Sequence, residues 1–364
     1  MSSPITRRER LRRCYNQEEL DRPAVYSRMW ISDSDRSYDD LRAYMTQRTE
    51  LKRWFFPHRY MQWNTPQDSY EPVSDEWRRL VQILHTPAGD LRRSWMEGLK
   101  SQAGHCDEHY LKDRADAEKY LSLPPPTFAG PAMDEFATVD AAVGDCGITE
   151  IILGDNPAGA AASLFGSETF AMMTVTDRDI VHALCQRQME MLLSLVGWLC
   201  DQGLGPYFDI EGHEYLVPPL HGPADFHEFC VRYDKPVIDL IHERGGRIHA
   251  HCHGCVGKVF QGFLDMGADV LHPFEPPPMG DITARQAKAA ARGRLCLEGN
   301  IQIADLYEHS PDQIRQQTEQ LIADCFDDRK GLIVCPSASP YMPNQGQVCL
   351  PRYQAMVETV LHQA

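Results

Sequence analysis

The stretch 247–275, RIHAHCHGCVGKVFQGFLDMGADVLHPFE, decides the fold. Residues 247–252 read as a short strand, 256–266 as an amphipathic helix, and 269–272 as a second strand. A strand, a helix and a strand in that order make a parallel pair with a crossover. The same alternation continues outward. Strand candidates lie at 24–30, 55–63, 150–153, 206–210, 295–298 and 332–335, and helices at 181–200, 224–243, 283–291, 311–326 and 353–361. The helix from 311 opens on Ser310-Pro311, an N-cap followed by proline at the first helical position. Eight strand candidates alternating with helices predict the α/β class and a (β/α)8 TIM barrel. A doubly wound open sheet is the alternative, disfavoured because no glycine-rich phosphate loop follows an early strand.

Two segments fall outside this rhythm. Residues 1–22 form an N-terminal extension whose helix, 6–21, is charged and is expected to pack outside the core. The barrel is expected over 23–364, with 71–126 an insertion between strands two and three. Within it, 77–84 and 91–95 flank Thr86-Pro87-Ala88-Gly89, a β-hairpin turn, and the prolines 124–126 return the chain to the barrel. The charged segment 37–50 reads as helical and carries no assigned function.

The chain has 364 residues, with 36 Lys plus Arg against 52 Asp plus Glu, a net charge of −16. That balance argues against nonspecific binding to nucleic acid or to an anionic membrane. An apolar fraction of 43% excludes wholesale disorder. No stretch is long and apolar enough to span a membrane. The Arg-rich N-terminus lacks the apolar segment of a secretory signal, so a cytoplasmic location is expected. The twelve cysteines then read as reduced thiols.

The densest chemical signal is His249-Ala250-His251-Cys252-His253-Gly254-Cys255. Alternation along a strand places His249, His251 and His253 on one face and Cys252 on the other. The cluster ends the fifth strand candidate, the end where barrel active sites are built. Core histidines bonded to carbonyls would be the bland explanation, and the Cys252/Cys255 pair alone suggests a redox or structural zinc role. Glu275 follows the sixth strand and Cys335 ends the eighth. His251, His253, Glu275 and Cys335 together supply the N, O and S ligands that Zn2+ takes. After the fourth strand, Asp209, Glu211 and Glu214 are candidates to orient a histidine, act as a base or meet substrate. Glu211, Glu214 and His249 are assigned to catalysis. Arg28, Trp30, Asp209, Tyr215, Asn300 and Tyr341 are assigned to substrate.

Residues 148–364 resemble the uroporphyrinogen decarboxylase superfamily. The resemblance runs through Ile148-Thr149-Glu150-Ile151-Ile152, Gly212-His213-Glu214-Tyr215, His251-Cys252-His253-Gly254, Gly267-Ala268-Asp269, Glu298-Gly299-Asn300-Ile301 and Cys335-Pro336-Ser337-Ala338-Ser339-Pro340. The superfamily includes porphyrinogen decarboxylases, methylcobamide:coenzyme M methyltransferases and cobalamin-independent methionine synthase, all built on a (β/α)8 barrel. Its zinc branch uses His-x-Cys, then a Glu in methionine synthase, then a Cys. His251, Glu275 and Cys335 match these, and His253 stands where the first Cys belongs. A neutral imidazole in place of a thiolate makes the site harder and shifts its preference toward oxygen ligands. The decarboxylase branch holds its tetrapyrrole with paired arginines. Arg28 matches the first, and Ile31-Ser32-Asp33 stands in place of the second.

The resemblance therefore implies metal-dependent group transfer. A methyl would pass to a metal-activated acceptor from a methylated donor such as a corrinoid carried by a partner protein. Metal-free decarboxylation and a non-catalytic corrinoid or tetrapyrrole carrier are the alternatives. An amidohydrolase also carries His-x-His, but on the first strand rather than the fifth.

Overall fold

The computed structural model describes residues 5–28, 33–100 and 103–363. Its centre is a curled sheet of eight parallel strands: β1 (Ala24–Val25), β2 (Leu51–Phe55), β3 (Gly147–Asp155), β4 (Tyr207–Glu211), β5 (Arg247–His251), β6 (Val270–His272), β7 (Cys296–Ile301) and β8 (Leu332–Pro336). In the sheet they run β1-β8-β7-β6-β5-β4-β3-β2. The end strands approach each other where the Glu50 N–H donates to the Val25 carbonyl at 3.0 Å. Strands covered on both faces should be apolar nearly throughout. All five residues of β8 are accordingly buried, as are the first seven of β3.

Helices cover the outer face. The longest, Arg178–Asp201, buries Ile180, Val181, Leu184, Leu192, Leu195, Val196 and Leu199, a stripe at three- and four-residue spacing. The helix Pro311–Cys325 is closed by a capping box: Ser310 accepts from the Gln313 N–H while the Gln313 side chain accepts from the Ser310 N–H. No helix among the described residues is long and apolar enough to cross a membrane.

Three expectations need correction. The second sheet strand is Leu51–Phe55, not 55–63, because Pro57 opens a 3-10 turn, Pro57–Tyr60, instead of continuing the strand. The first spans only Ala24–Val25 among the described residues. The N-terminal helix, Arg7–Tyr15, does not lie outside the core. Leu11, Cys14 and Tyr15 are buried against the amino ends of the strands, and Arg10 forms an ion pair with the buried Glu50 at 2.7 Å. Glu50 also accepts from Arg22 and from the Val25 N–H, so its charge is fully partnered.

Between β2 and β3 stands an antiparallel sheet of four strands, Gln67–Pro72, Trp77–Thr86, Gly89–Gly98 and His105–Glu108. The hairpin turns at Thr86 and Gly89, where the Thr86 hydroxyl donates to the Gly89 carbonyl and Gly89 takes a positive φ of 126°. Its Leu84 and Leu91 join the same apolar core as the helices around the parallel sheet.

Candidate active site

The carboxyl ends of β5 and β6 bring histidines together. His251 and His272 are paired in register on these neighbouring strands. Their rings stack with centroids 5.1 Å apart and Nδ1 atoms 3.0 Å apart. His272 Nε2 donates to the Pro336 carbonyl at 3.0 Å, which leaves its Nδ1 a lone-pair acceptor. Arg28, half-buried, approaches that Nδ1 at 3.3 Å. His253 lies past the end of β5, yet its ring meets His251 edge to face at 4.8 Å. His253 Nδ1 is 3.3 Å from Glu275, whose carboxylate also accepts from the Gly254 N–H at 2.9 Å.

Thus His251, His253 and Glu275 are contiguous. Cys335 lies in a separate compact group, its Sγ within 4.8 Å of a His272 nitrogen and a Glu298 oxygen, and among the described residues His251, His253, Glu275 and Cys335 do not form one donor group of that size. Burial, reinforced by the Arg28 charge, holds His251 and His272 well below the usual histidine range, so both are neutral. Burial also acts to raise Glu275, but the His253 and Gly254 hydrogen bonds outweigh it and its carboxyl titrates below the ordinary value. Burial, with Glu298 nearby, pushes the Cys335 thiol well up.

Deeper in the curled sheet lies a second cluster. His249 bonds through Nδ1 to Asp209 of β4, while its Nε2 is 3.7 Å from Glu298 of β7 and has no hydrogen-bond partner among the described residues. Burial lowers His249 to about 4 and raises Asp209 to about 6. Lys52 of β2 bonds to Glu298 and lies 3.1 Å from Glu150, which also accepts from the Tyr15 hydroxyl. Glu150, Asp209 and His249 form another compact donor group. There the Lys52 ammonium already provides the compensating cation, kept protonated by the two glutamates against the effect of burial.

The other assigned residues are more dispersed. Glu211 ends β4, and burial together with the charges of Asp209, Asp155 and Glu214 raises it to about 7. Glu214 is exposed. Tyr215 sits in a short 3-10 turn, where its carbonyl accepts from His221. Asn300 donates to the Phe274 carbonyl at 3.1 Å, tying the end of β7 to the loop after β6. Tyr341 is 57% exposed and packs edge-on against Tyr307. Trp30 lies outside the described residues. Cys252 is fully buried, its Sγ directed at the His253 carbonyl.

Sequence reading missed His272, Glu298 and Lys52. It also missed a buried support: Asp234 binds His213 Nε2 and Asn156 Nδ2, each at 3.0 Å, and His213 Nδ1 faces the His251 carbonyl at 3.3 Å. Parallel register was the available signal for His272, since strands five and six each end in histidine.

A curled parallel sheet with titratable side chains gathered at the carboxyl ends of its strands is the layout on which α/β enzymes build their active sites. A family model described as uroporphyrinogen decarboxylase (URO-D) matches residues 148–359, and the chain belongs to that family. No curated protein matches the chain. Similar solved structures include a methyltransferase from Methanosarcina mazei, with 13% identity and a TM-score of 0.60 over 97% of this chain and 99% of that one. A B12-independent methionine synthase from Shewanella sp. W3-18-1, in complex with selenomethionine, has 10% identity and a TM-score of 0.50 over 96% of each chain. At these identities the likeness is one of fold.

Proposed function

We propose that this chain is a (β/α)8 group-transfer enzyme that moves a methyl from a methylated donor to a metal-activated acceptor. The observation that carries this reading is the contiguous set His251, His253 and Glu275, with Cys335 reached through His272. Its donors are imidazoles, a carboxylate held ionised, and a thiol that burial keeps protonated until a cation compensates it. Donors of these types suit Zn2+, whose binding is coupled to thiol deprotonation, and the compact group around Cys335 adds His272 and Glu298 to the donors within reach. His251, His253, Glu275 and Cys335 would hold the metal. Bound there, zinc acts as a Lewis acid that lowers the pKa of an acceptor.

The chain's own residues do the rest. Glu211, near 7, accepts the proton the acceptor gives up, with Glu214 beside it. Asp209 orients His249. Arg28, Tyr215, Asn300, Tyr341 and Trp30 contact substrate. The donor in this reading is a methylated corrinoid carried by a partner protein. The twelve cysteines are all unpaired, which supports a reducing, cytoplasmic setting.

The test is to mix zinc-loaded protein with methylcobalamin and a series of thiol and oxygen acceptors. Loss of the methyl–cobalt spectrum with methylated acceptor found by mass spectrometry supports the reading. No methylated product from any acceptor overturns it.

A further inference from the structure

A cavity of about 590 Å³ lies between the antiparallel sheet, the helix Arg178–Asp201 and the carboxyl end of β3. Its volume is within the roughly 300–1,000 Å³ of small-molecule sites. None of the residues assigned to the metal lines it. Aromatic rings of Trp63, Tyr110 and Tyr120 and the prolines at 124–126 form much of its wall. Two arginines also line it, and they differ. Arg187 is engaged by the carbonyls of Leu123 and Pro124, each at 2.9 Å. Arg93 lies over the Tyr110 ring at 5.0 Å, and its Nε donates to Gln82 at 2.6 Å. Its two terminal nitrogens meet no acceptor among the described residues.

A guanidinium fixed at Nε, with both terminal nitrogens open, presents a fork for a carboxylate. The flanking rings suit a flat apolar body. We propose that this cavity binds a small planar aromatic monocarboxylate, anchored by Arg93. A second negative charge is disfavoured by Asp155 and Glu190, which line the same space. This site goes beyond the methyl-transfer reading and does not depend on it, because occupancy is measured without turnover.

The experiment is calorimetry on the full chain with 2-naphthoate and with 2-naphthamide, its uncharged counterpart. The wild-type protein should bind 2-naphthoate at least about tenfold more tightly, as expected for a lost charged hydrogen bond. Arg93→Gln should abolish that preference. Equal affinity for the two probes, binding of neither at millimolar concentration, or an Arg93→Gln protein that keeps the preference would overturn the proposal. The wild-type comparison decides alone if the variant does not fold.

Discussion

Replacing Lys52 with Met tests whether the interior of the curled sheet is held by charge compensation. Lys52 is 1% exposed at its side chain, and its partners Glu150 and Glu298 are 2% and 0% exposed. Met fills a similar volume but leaves two carboxylates buried without a cation. Breaking a buried pair by removing one partner costs about 3–5 kcal/mol. Unfolding entropy of about 2.1 cal/mol/K per residue over 364 residues converts that to a fall of about 4–7 °C in Tm.

The loss should depend on pH in a definite direction. Without Lys52 the charge on Glu150 and Glu298 is buried with no cation beside it, while in the unfolded chain the same charge is hydrated, so the folded state alone carries a penalty for ionised carboxylates. The folded variant then binds more protons than the unfolded chain and loses stability as pH rises. The deficit against wild type, read by thermal melting, should be smaller near pH 5 than near pH 8. Replacing both glutamates by Gln in the same background should recover most of it, because no uncompensated charge remains. A Lys52→Met protein that melts with wild type, or whose deficit is unchanged across that range, would refute the reasoning.

Other outcomes follow from the same geometry. If Glu211 is the base, kcat/KM should rise with pH through about 7, and Glu211→Gln should lose that limb and about 100-fold or more in rate. Asp234→Ala strips His213 of its buried partner and should lower stability by about 3 kcal/mol. Asp234 raises the folded pKa of His213 against burial. That stabilisation is complete below the unfolded value and fades as pH rises through the folded one, so the deficit should be largest at acid pH. Uroporphyrinogen incubated with the pure protein should release no carbon dioxide. Ile31-Ser32-Asp33 stands in place of the second arginine of the decarboxylases, and Cys335-Pro336 stands at the end of the last strand, where they carry His-Gly.

The strand–helix rhythm was legible wherever strands were apolar on both faces. The candidates 150–153 and 332–335 fall inside β3 and β8. It failed where function or packing put charge into a strand. Leu51-Lys52-Arg53-Trp54-Phe55 does not read as buried, because the need for Lys52 comes from Glu150 and Glu298, distant in sequence. The Arg-rich first helix misled for the same reason: Arg10 looks solvated until Glu50 is seen beneath it. The motif around His251 was visible because its donors are local. The histidine next to it, His272, depends on register between strands, which no single strand reveals.

The most direct test of the account is zinc per chain by elemental analysis, after zinc is supplied and the excess removed. Wild type, Cys335→Ser, Cys252→Ser and Cys255→Ser are measured side by side. Wild type should hold about one zinc per chain and stay folded when the metal is removed. Retention should weaken in Cys335→Ser, whose soft charged ligand becomes a neutral hard one, and change little in the other two. No zinc in wild type, or zinc lost only from the Cys252 and Cys255 variants, would contradict it.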